Sequence, residues 1–247
     1  MKDWTKFIED LKVIFSTYEF IDGDESHNEY GVTKQHVAIV GAYDLNRICE
    51  EKHYCERFKL KIVVSKNDNE IIPVVTILDK KPKGFSHTHN NGSCCLGTNL
   101  EILLGWEDNR TAQSFFEEII NFYLINLISF RECKEYVTGE REHGFEGIMS
   151  YYAKHFPNVP MENMSAFLKY IQKSLKKNEP RSRRTLCPCG SGKEIINCHY
   201  HTTREFINNI LCDQFLLKAF EDDQEKYINK KRGDRNSRKI KTIRKGS

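Results

Sequence analysis

The sequence predicts an α+β fold: an antiparallel meander flanked by helices, continued by a helical extension and a small cysteine-rich knuckle. Three observations carry that expectation. Phe58, Leu60, Ile62 and Val64 alternate with Lys59, Lys61 and Val63, the period of a strand with one buried face. Trp4, Phe7, Ile8, Leu11, Ile14 and Phe15 recur on one helical stripe. Towards the other end, CPCGSGKEIINCHY packs three cysteines and a histidine around two glycines.

In chain order, residues 4–20 are expected as one amphipathic helix and 21–31 as a polar turn region. Strands are expected over 33–40, 58–64 and 71–78, with Asn67, Asp68 and Asn69 turning between the last two. Residues 43–53 read equally as a further strand or a linking segment. The stretch 80–97, KKPKGFSHTHNNGSCCLG, has no periodicity, and a loop of that length carrying His and Cys reads as functional. Helices are expected over 109–131, 145–155 and 163–177, then a polar linker over 178–185 that contains Pro180. A final helix over 202–229 and a disordered basic tail complete the chain. The expected domains are 1–156, a helical extension and linker over 157–184, the knuckle over 185–201, the helix 202–229 and the tail 230–247.

The formal charge of +3 is unevenly placed. Nine Lys or Arg and one acid, Asp234, fall within 230–245, which leaves 29 basic against 34 acidic residues elsewhere, about −5. Such a tail suits weak, salt-dependent contact with polyanions. It has no aromatic residue on which bases could stack. The N-terminal stretch MKDWTKFIEDLKVIF carries acids within its apolar run, unlike a signal peptide. The longest apolar-rich run, 119–130, contains Asn121 and Asn126 and is too short to span a bilayer. A cytoplasmic protein without membrane association is therefore expected.

Nine cysteines are an odd number with no disulfide framework, so thiols or metal ligands are expected. Cys49, Cys55, Cys133 and Cys212 lie among apolar or helical residues and read as small packed positions. Cys94, Cys95, Cys187, Cys189 and Cys198 sit beside Gly, Ser, Pro or His and ask for a chemical account.

Cys187, Cys189, Cys198 and His199 supply the four soft or borderline ligands that tetrahedral zinc requires. Gly190 and Gly192 allow the backbone to curl around the ion, and so small a unit would fold with its metal. His201 is a second imidazole that could serve as the fourth ligand. The segment 186–200 resembles the SEC-C motif, a short zinc-binding element found as an appendix on unrelated domains. That resemblance implies docking onto protein or ribosomal partners rather than catalysis.

A nucleophilic cysteine must be partly exposed, ionisable and held on a defined loop. Cys95 follows a Gly-Ser turn and precedes Leu96, which can anchor the loop, while His87 and His89 lie a few residues upstream. The order of helix, strand meander, His-bearing loop, cysteine, Trp106 and long helix resembles the ubiquitin-conjugating-enzyme fold. The local likeness is His87-Thr88-His89 followed by Asn91-Gly92-Ser93-Cys94-Cys95-Leu96, against a family pattern of His-Pro-Asn and Asn-Gly-Ser, an apolar residue, Cys and Leu. Thr88 stands where the family has proline, and His89 where it has the asparagine that stabilises the oxyanion. The resemblance covers about residues 1–156. It implies a thioester on Cys95 with a protein C-terminus, passed to an amine, with His87 and His89 orienting the carbonyl or relaying a proton.

Divergent bacterial relatives of this fold occur in anti-phage CBASS operons beside a nucleotidyltransferase that makes cyclic oligonucleotides. The resemblance therefore implies such a nucleotidyltransferase as a protein substrate and an activating enzyme as a second partner. Two other readings remain. One is a non-catalytic adaptor that uses fold and knuckle only for docking. The other is a JAB-type metallo-isopeptidase, with His87 and His89 as metal ligands and Thr98 and Glu101 approximating its Ser-x-x-Asp.

Overall fold

A computed structural model describes residues 4–23, 32–66, 71–106, 110–140, 142, 144–177 and 183–225. The expected turn at Asn67, Asp68 and Asn69, most of the linker over 178–185 and the basic tail lie outside these. The chain forms two compact units, residues 1–97 with 102–141, and residues 98–101 with 142–247. The helix over 144–155, which the sequence assigns to the first domain, thus belongs to the second unit.

The first unit begins with α1 (Trp4–Ile14), whose Phe7, Ile8 and Leu11 are buried. The helix expected to reach residue 20 stops here, and Thr17–Asp22 forms strand β1 instead. Thr17, Tyr18, Phe20 and Ile21 favour a pleated surface, and pairing with the next strand satisfies their backbone. Gly41 makes the corner possible, because a Cβ there would lie 2.6 Å from the Thr17 carbonyl oxygen and 2.7 Å from Phe15 Cγ.

Strands β2 (His36–Cys49), β3 (Lys52–Ser65) and β4 (Val74–Ile77) complete an antiparallel meander in the order β1-β2-β3-β4. Cys49 pairs with Lys52, so Glu50 and Glu51 alone form the turn, with φ of 48° and 64°. Two successive positive φ values define the tight turn that Asn-Gly normally fills. The undecided segment 43–53 is therefore a hairpin whose turn carries no sequence signal. In β3 the expected alternation holds: Tyr54, Phe58, Leu60, Ile62 and Val64 are buried.

Helices α2 (Asn99–Gly105), α3 (Ala112–Phe115) and α4 (Asn121–Cys133) follow, the last two joined by a π-helical turn, Phe116–Ile120. Thr111 caps α3 by accepting the Ser114 N–H at 3.1 Å. Phe7 meets Trp106 and Phe115 at ring separations of 5.8 and 6.0 Å, and Phe15 meets Phe116 at 5.9 Å. The Tyr43 hydroxyl donates to Asn121 Oδ1 at 2.6 Å, fixing α4 on the sheet. Burial of each such side chain contributes about 1.5–3 kcal/mol.

The second unit contains α5 (Gly144–His155), α6 (Met161–Leu175), the cysteine knuckle and α7 (Tyr200–Leu211). The helix expected over 202–229 is interrupted at Asp213, whose carboxylate accepts the Phe215 N–H at 2.7 Å and caps a new helix over 214–225. The aromatic core joins Tyr152, Phe156, Phe167, Phe206 and Phe220 through ring contacts of 4.9–6.2 Å.

Among the described residues no helix is long and apolar enough to cross a membrane.

Candidate functional site

Within the loop 80–97, Thr88 and Cys94 form an isolated antiparallel bridge. The same register places His87 opposite Cys95 and His89 opposite Ser93. Cys95 N–H donates to the His87 carbonyl at 3.0 Å, and His89 N–H to the Ser93 carbonyl at 2.8 Å. Side chains alternate between faces along paired strands, so His87, His89 and Cys95 share one face and Cys94 takes the other. The tip is held by Asn91, whose Oδ1 accepts the Ser93 N–H at 3.1 Å and its hydroxyl at 2.7 Å. Gly92 supplies the positive φ of 85° that this turn requires, and Lys81 Nζ donates to its carbonyl at 2.7 Å.

The two adjacent thiols have opposite environments. Cys94 is 6% exposed, its N–H donates to the Val75 carbonyl at 2.7 Å, and burial pushes its thiol pKa up. A thiol held protonated is a poor nucleophile. Cys95 is half-buried and lines a cavity of about 50 Å³ with Phe85, His87, Glu118, Phe122, Tyr123 and Asn126. The structure thus brings Cys95 and His87 to one cavity. His87 is itself buried, edge-on to Tyr136 at 4.8 Å and to Phe85 at 5.7 Å. His89 lies further along the hairpin on the same face and is exposed.

Glu118, Tyr123 and Asn126 were not foreseen from the sequence. Glu118 reaches the cavity from the π-helical turn, an irregularity that recurs at functional sites. The Tyr123 hydroxyl donates to the His87 carbonyl at 2.7 Å. Asn126 is tied to Thr138 by Nδ2 to Oγ1 at 2.7 Å. No spacing in the sequence marks these residues, because they lie on a helix that reads simply as apolar.

Thr98 and Glu101 have a different role from the one their spacing suggested. Thr98 Oγ1 accepts the Glu101 N–H at 3.1 Å, and Glu101 Oε2 accepts the Thr98 N–H at 3.4 Å, a capping box at the start of α2. Asp223 completes the cap, its two carboxylate oxygens accepting the Asn99 and Leu100 N–H groups at 3.2 and 3.1 Å.

Among the described residues, one group of three or more potential ligands is close enough to hold a metal: Cys187, Cys189, Cys198 and His199. Neither His87 nor His89 belongs to such a group. The four ligand atoms lie within 4.8 Å of one another. His199 Nδ1 is 3.3 Å from Cys187 Sγ and 3.1 Å from Cys198 Sγ, and Cys189 and Cys198 Sγ are 3.5 Å apart. Metal–ligand bonds of about 2.0–2.3 Å in a tetrahedron place ligand atoms ~3.5–3.8 Å apart, so the set fits a four-coordinate ion. His201 is exposed and stands outside the group.

Local backbone bonds shape this knuckle. Cys187 N–H donates to the Lys193 carbonyl at 2.8 Å, and Gly190 N–H to the Cys187 carbonyl at 3.2 Å. Gly190 and Gly192 adopt φ of 83° and 73°. Helix α6 supports it from beneath: Asn163 Nδ2 donates to the Cys189 carbonyl at 2.8 Å, and the Phe167 ring lies 5.1 Å from the His199 imidazole. Burial pushes the Cys187 thiol up to about 12, so a metal must displace a tightly held proton there. Comparison with protein-family models, curated proteins and solved structures gives no match for this chain.

Proposed function

We propose that the chain is a cysteine acyltransferase of ubiquitin-conjugating type, with Cys95 as the acyl carrier and a zinc-binding knuckle as a docking element. The observation that supports this most is the asymmetry of the hairpin, which buries Cys94 and turns Cys95 into a cavity beside His87. The preceding helix and four-stranded antiparallel meander agree with the fold that the sequence resembles.

The Cys95 thiolate attacks a protein C-terminal carbonyl presented as a thioester by an ATP-dependent activating enzyme. That enzyme's thiol leaves as the Cys95 thioester forms. A lysine amine of the acceptor then attacks, loses a proton and expels the Cys95 thiol, leaving an isopeptide bond. Each addition develops an oxyanion, which an N–H donor stabilises. The exposed His89 imidazole, on the same face as Cys95, is the candidate donor, and His87 forms the wall that orients the carbonyl. Glu118 at the cavity is the candidate acceptor for the amine proton. The acceptor implied by the resemblance is a nucleotidyltransferase of an anti-phage system.

At the knuckle, three thiolates and one imidazole form a donor set that suits zinc. Zinc there would tie 187–199 together and present the knuckle surface to a protein partner.

The test is trapping. Tagged full-length protein, isolated from cells without reductant, should carry an adduct that hydroxylamine cleaves and mass spectrometry maps to Cys95. A Cys95→Ala protein that still carries the adduct, or that retains full cellular function, would overturn the enzyme reading in favour of a non-catalytic adaptor.

A further inference from the structure

Two thiols stand side by side in this hairpin, and a shift of one residue in its pairing would exchange them. In antiparallel pairing such a slip moves every side chain to the opposite face, and so short a ladder holds its register only weakly. We propose that Tyr123 selects the reactive cysteine by locking the register that turns Cys95, and not Cys94, into the cavity. The catalytic meaning of that selection rests on the reading of Cys95 as the acyl carrier.

The His87 carbonyl accepts twice, from the Cys95 N–H at 3.0 Å and from the Tyr123 hydroxyl at 2.7 Å. That oxygen therefore defines the rung between His87 and Cys95, and Tyr123 pins it from outside the hairpin. A slip that set Cys94 opposite His87 would move the oxygen away from a donor that cannot follow. Tyr123 is 7% exposed, its ring lies edge-on to Phe85 at 5.6 Å, and α4 is fixed to the sheet by the Tyr43–Asn121 bond. Burial holds its pKa far above the ordinary value, so the hydroxyl remains a donor throughout the physiological range. The bonds of Asn91 and Lys81 act at the tip, where they shape the turn but do not touch the His87 rung. The Cys94 N–H bond to the Val75 carbonyl at 2.7 Å holds the other arm of the hairpin, and Tyr123 is the positioning residue that holds the His87 arm against it.

The experiment alkylates the full-length, metal-loaded protein with limiting iodoacetamide and quantifies Cys94 and Cys95 modification by peptide mass spectrometry. In the wild type Cys95 is modified in large excess. In Tyr123→Phe the Cys95-to-Cys94 ratio should fall by about 5- to 10-fold, the equilibrium weight of one hydrogen bond. Asn91→Ala, which loosens only the tip, should leave the ratio within about twofold of wild type, well below the weight of that bond. Replacing Tyr123 with para-aminophenylalanine, which retains a donor at that position, should restore it. General loosening of the first unit would instead raise modification of the half-buried Cys49 in step with Cys94. An unchanged ratio in Tyr123→Phe, an equal fall in Asn91→Ala, a parallel rise at Cys49 or a failure of the amino analogue to restore the ratio would each overturn the proposal. Alkylation requires no acyl donor, so the result stands apart from whether Cys95 performs acyl transfer.

Discussion

Asn163 and Cys189 are joined by a side-chain bond to backbone: Asn163 Nδ2 lies 2.8 Å from the Cys189 carbonyl oxygen, against the turn that carries two members of the Cys/His cluster. The next residue, Gly190, has no Cβ, and one there would stand 2.4 Å from the same nitrogen. A side chain at 190 would therefore have to push the Asn163 amide aside and take up a left-handed φ of 83°.

Metal affinity should depend on that fit. Asn163→Ala should weaken zinc binding by about 10- to 100-fold, the range for partners that orient a ligand without binding the ion. Gly190→Ala should do at least as much, because it adds the clash to a φ of 83°. Competition with a chromophoric chelator measures both. Wild-type affinity in Asn163→Ala would show that α6 contributes nothing to the centre.

Cys189→Ser should abolish zinc binding while the first unit remains folded, because that unit has its own sheet and aromatic core. Freshly purified wild type should carry about one zinc per chain on the four-ligand rule. Metal analysis checks the first statement and near-ultraviolet circular dichroism the second. A metal-free wild-type preparation would remove the zinc assignment.

Transfer activity should distinguish the two hairpin thiols. Cys95→Ala should abolish the hydroxylamine-sensitive adduct, Cys95→Ser should trap a more stable oxyester, and Cys94→Ala should reduce activity only modestly through packing. Loss of the His89 imidazole should slow transfer by roughly 100- to 1000-fold if it stabilises the oxyanion. Gel analysis of adduct formation over time reads all four variants. Full loss in Cys94→Ala with activity in Cys95→Ala would reverse the assignment.

Stability should rise when the β2–β3 turn receives the residues its geometry favours. The double substitution Glu50→Asn with Glu51→Gly should stabilise the chain by about 1–2 kcal/mol, since left-handed backbone costs an ordinary residue about 1 kcal/mol at each position and the freedom of glycine in the unfolded chain offsets part of the gain. Urea denaturation checks it. A lower midpoint would mean that the glutamates contribute contacts outweighing the strain.

Asp223 offers the converse test. Its fully buried carboxylate accepts two N–H groups in the first turn of α2. Asp223→Ala should destabilise by about 2–4 kcal/mol, because two buried donors lose a charged acceptor. Thermal unfolding of the purified variant measures the loss.

Much of the local structure could be read from the chain because its causes are local. The alternation from Phe58 to Val64 determines which face of β3 is buried, and the stripe from Phe7 to Leu11 determines the inner face of α1. The clustering of Cys187, Cys189, Cys198 and His199 was legible because these side chains and the positive-φ glycines fall within a dozen residues of one another. Other features depended on partners distant in sequence. The helical stripe alone did not show that α1 ends at Ile14, because pairing of Thr17–Asp22 with β2 outweighs its continuation. The turn at Glu50 and Glu51 has no Asn or Gly to announce it, and the long register of β2 on β3 imposes its backbone. The difference between Cys94 and Cys95 is the sharpest case. Adjacent residues of one type cannot be ranked by composition. Tertiary structure separates them, because pairing turns neighbouring side chains to opposite faces, one into the protein interior and one into the cavity beside His87.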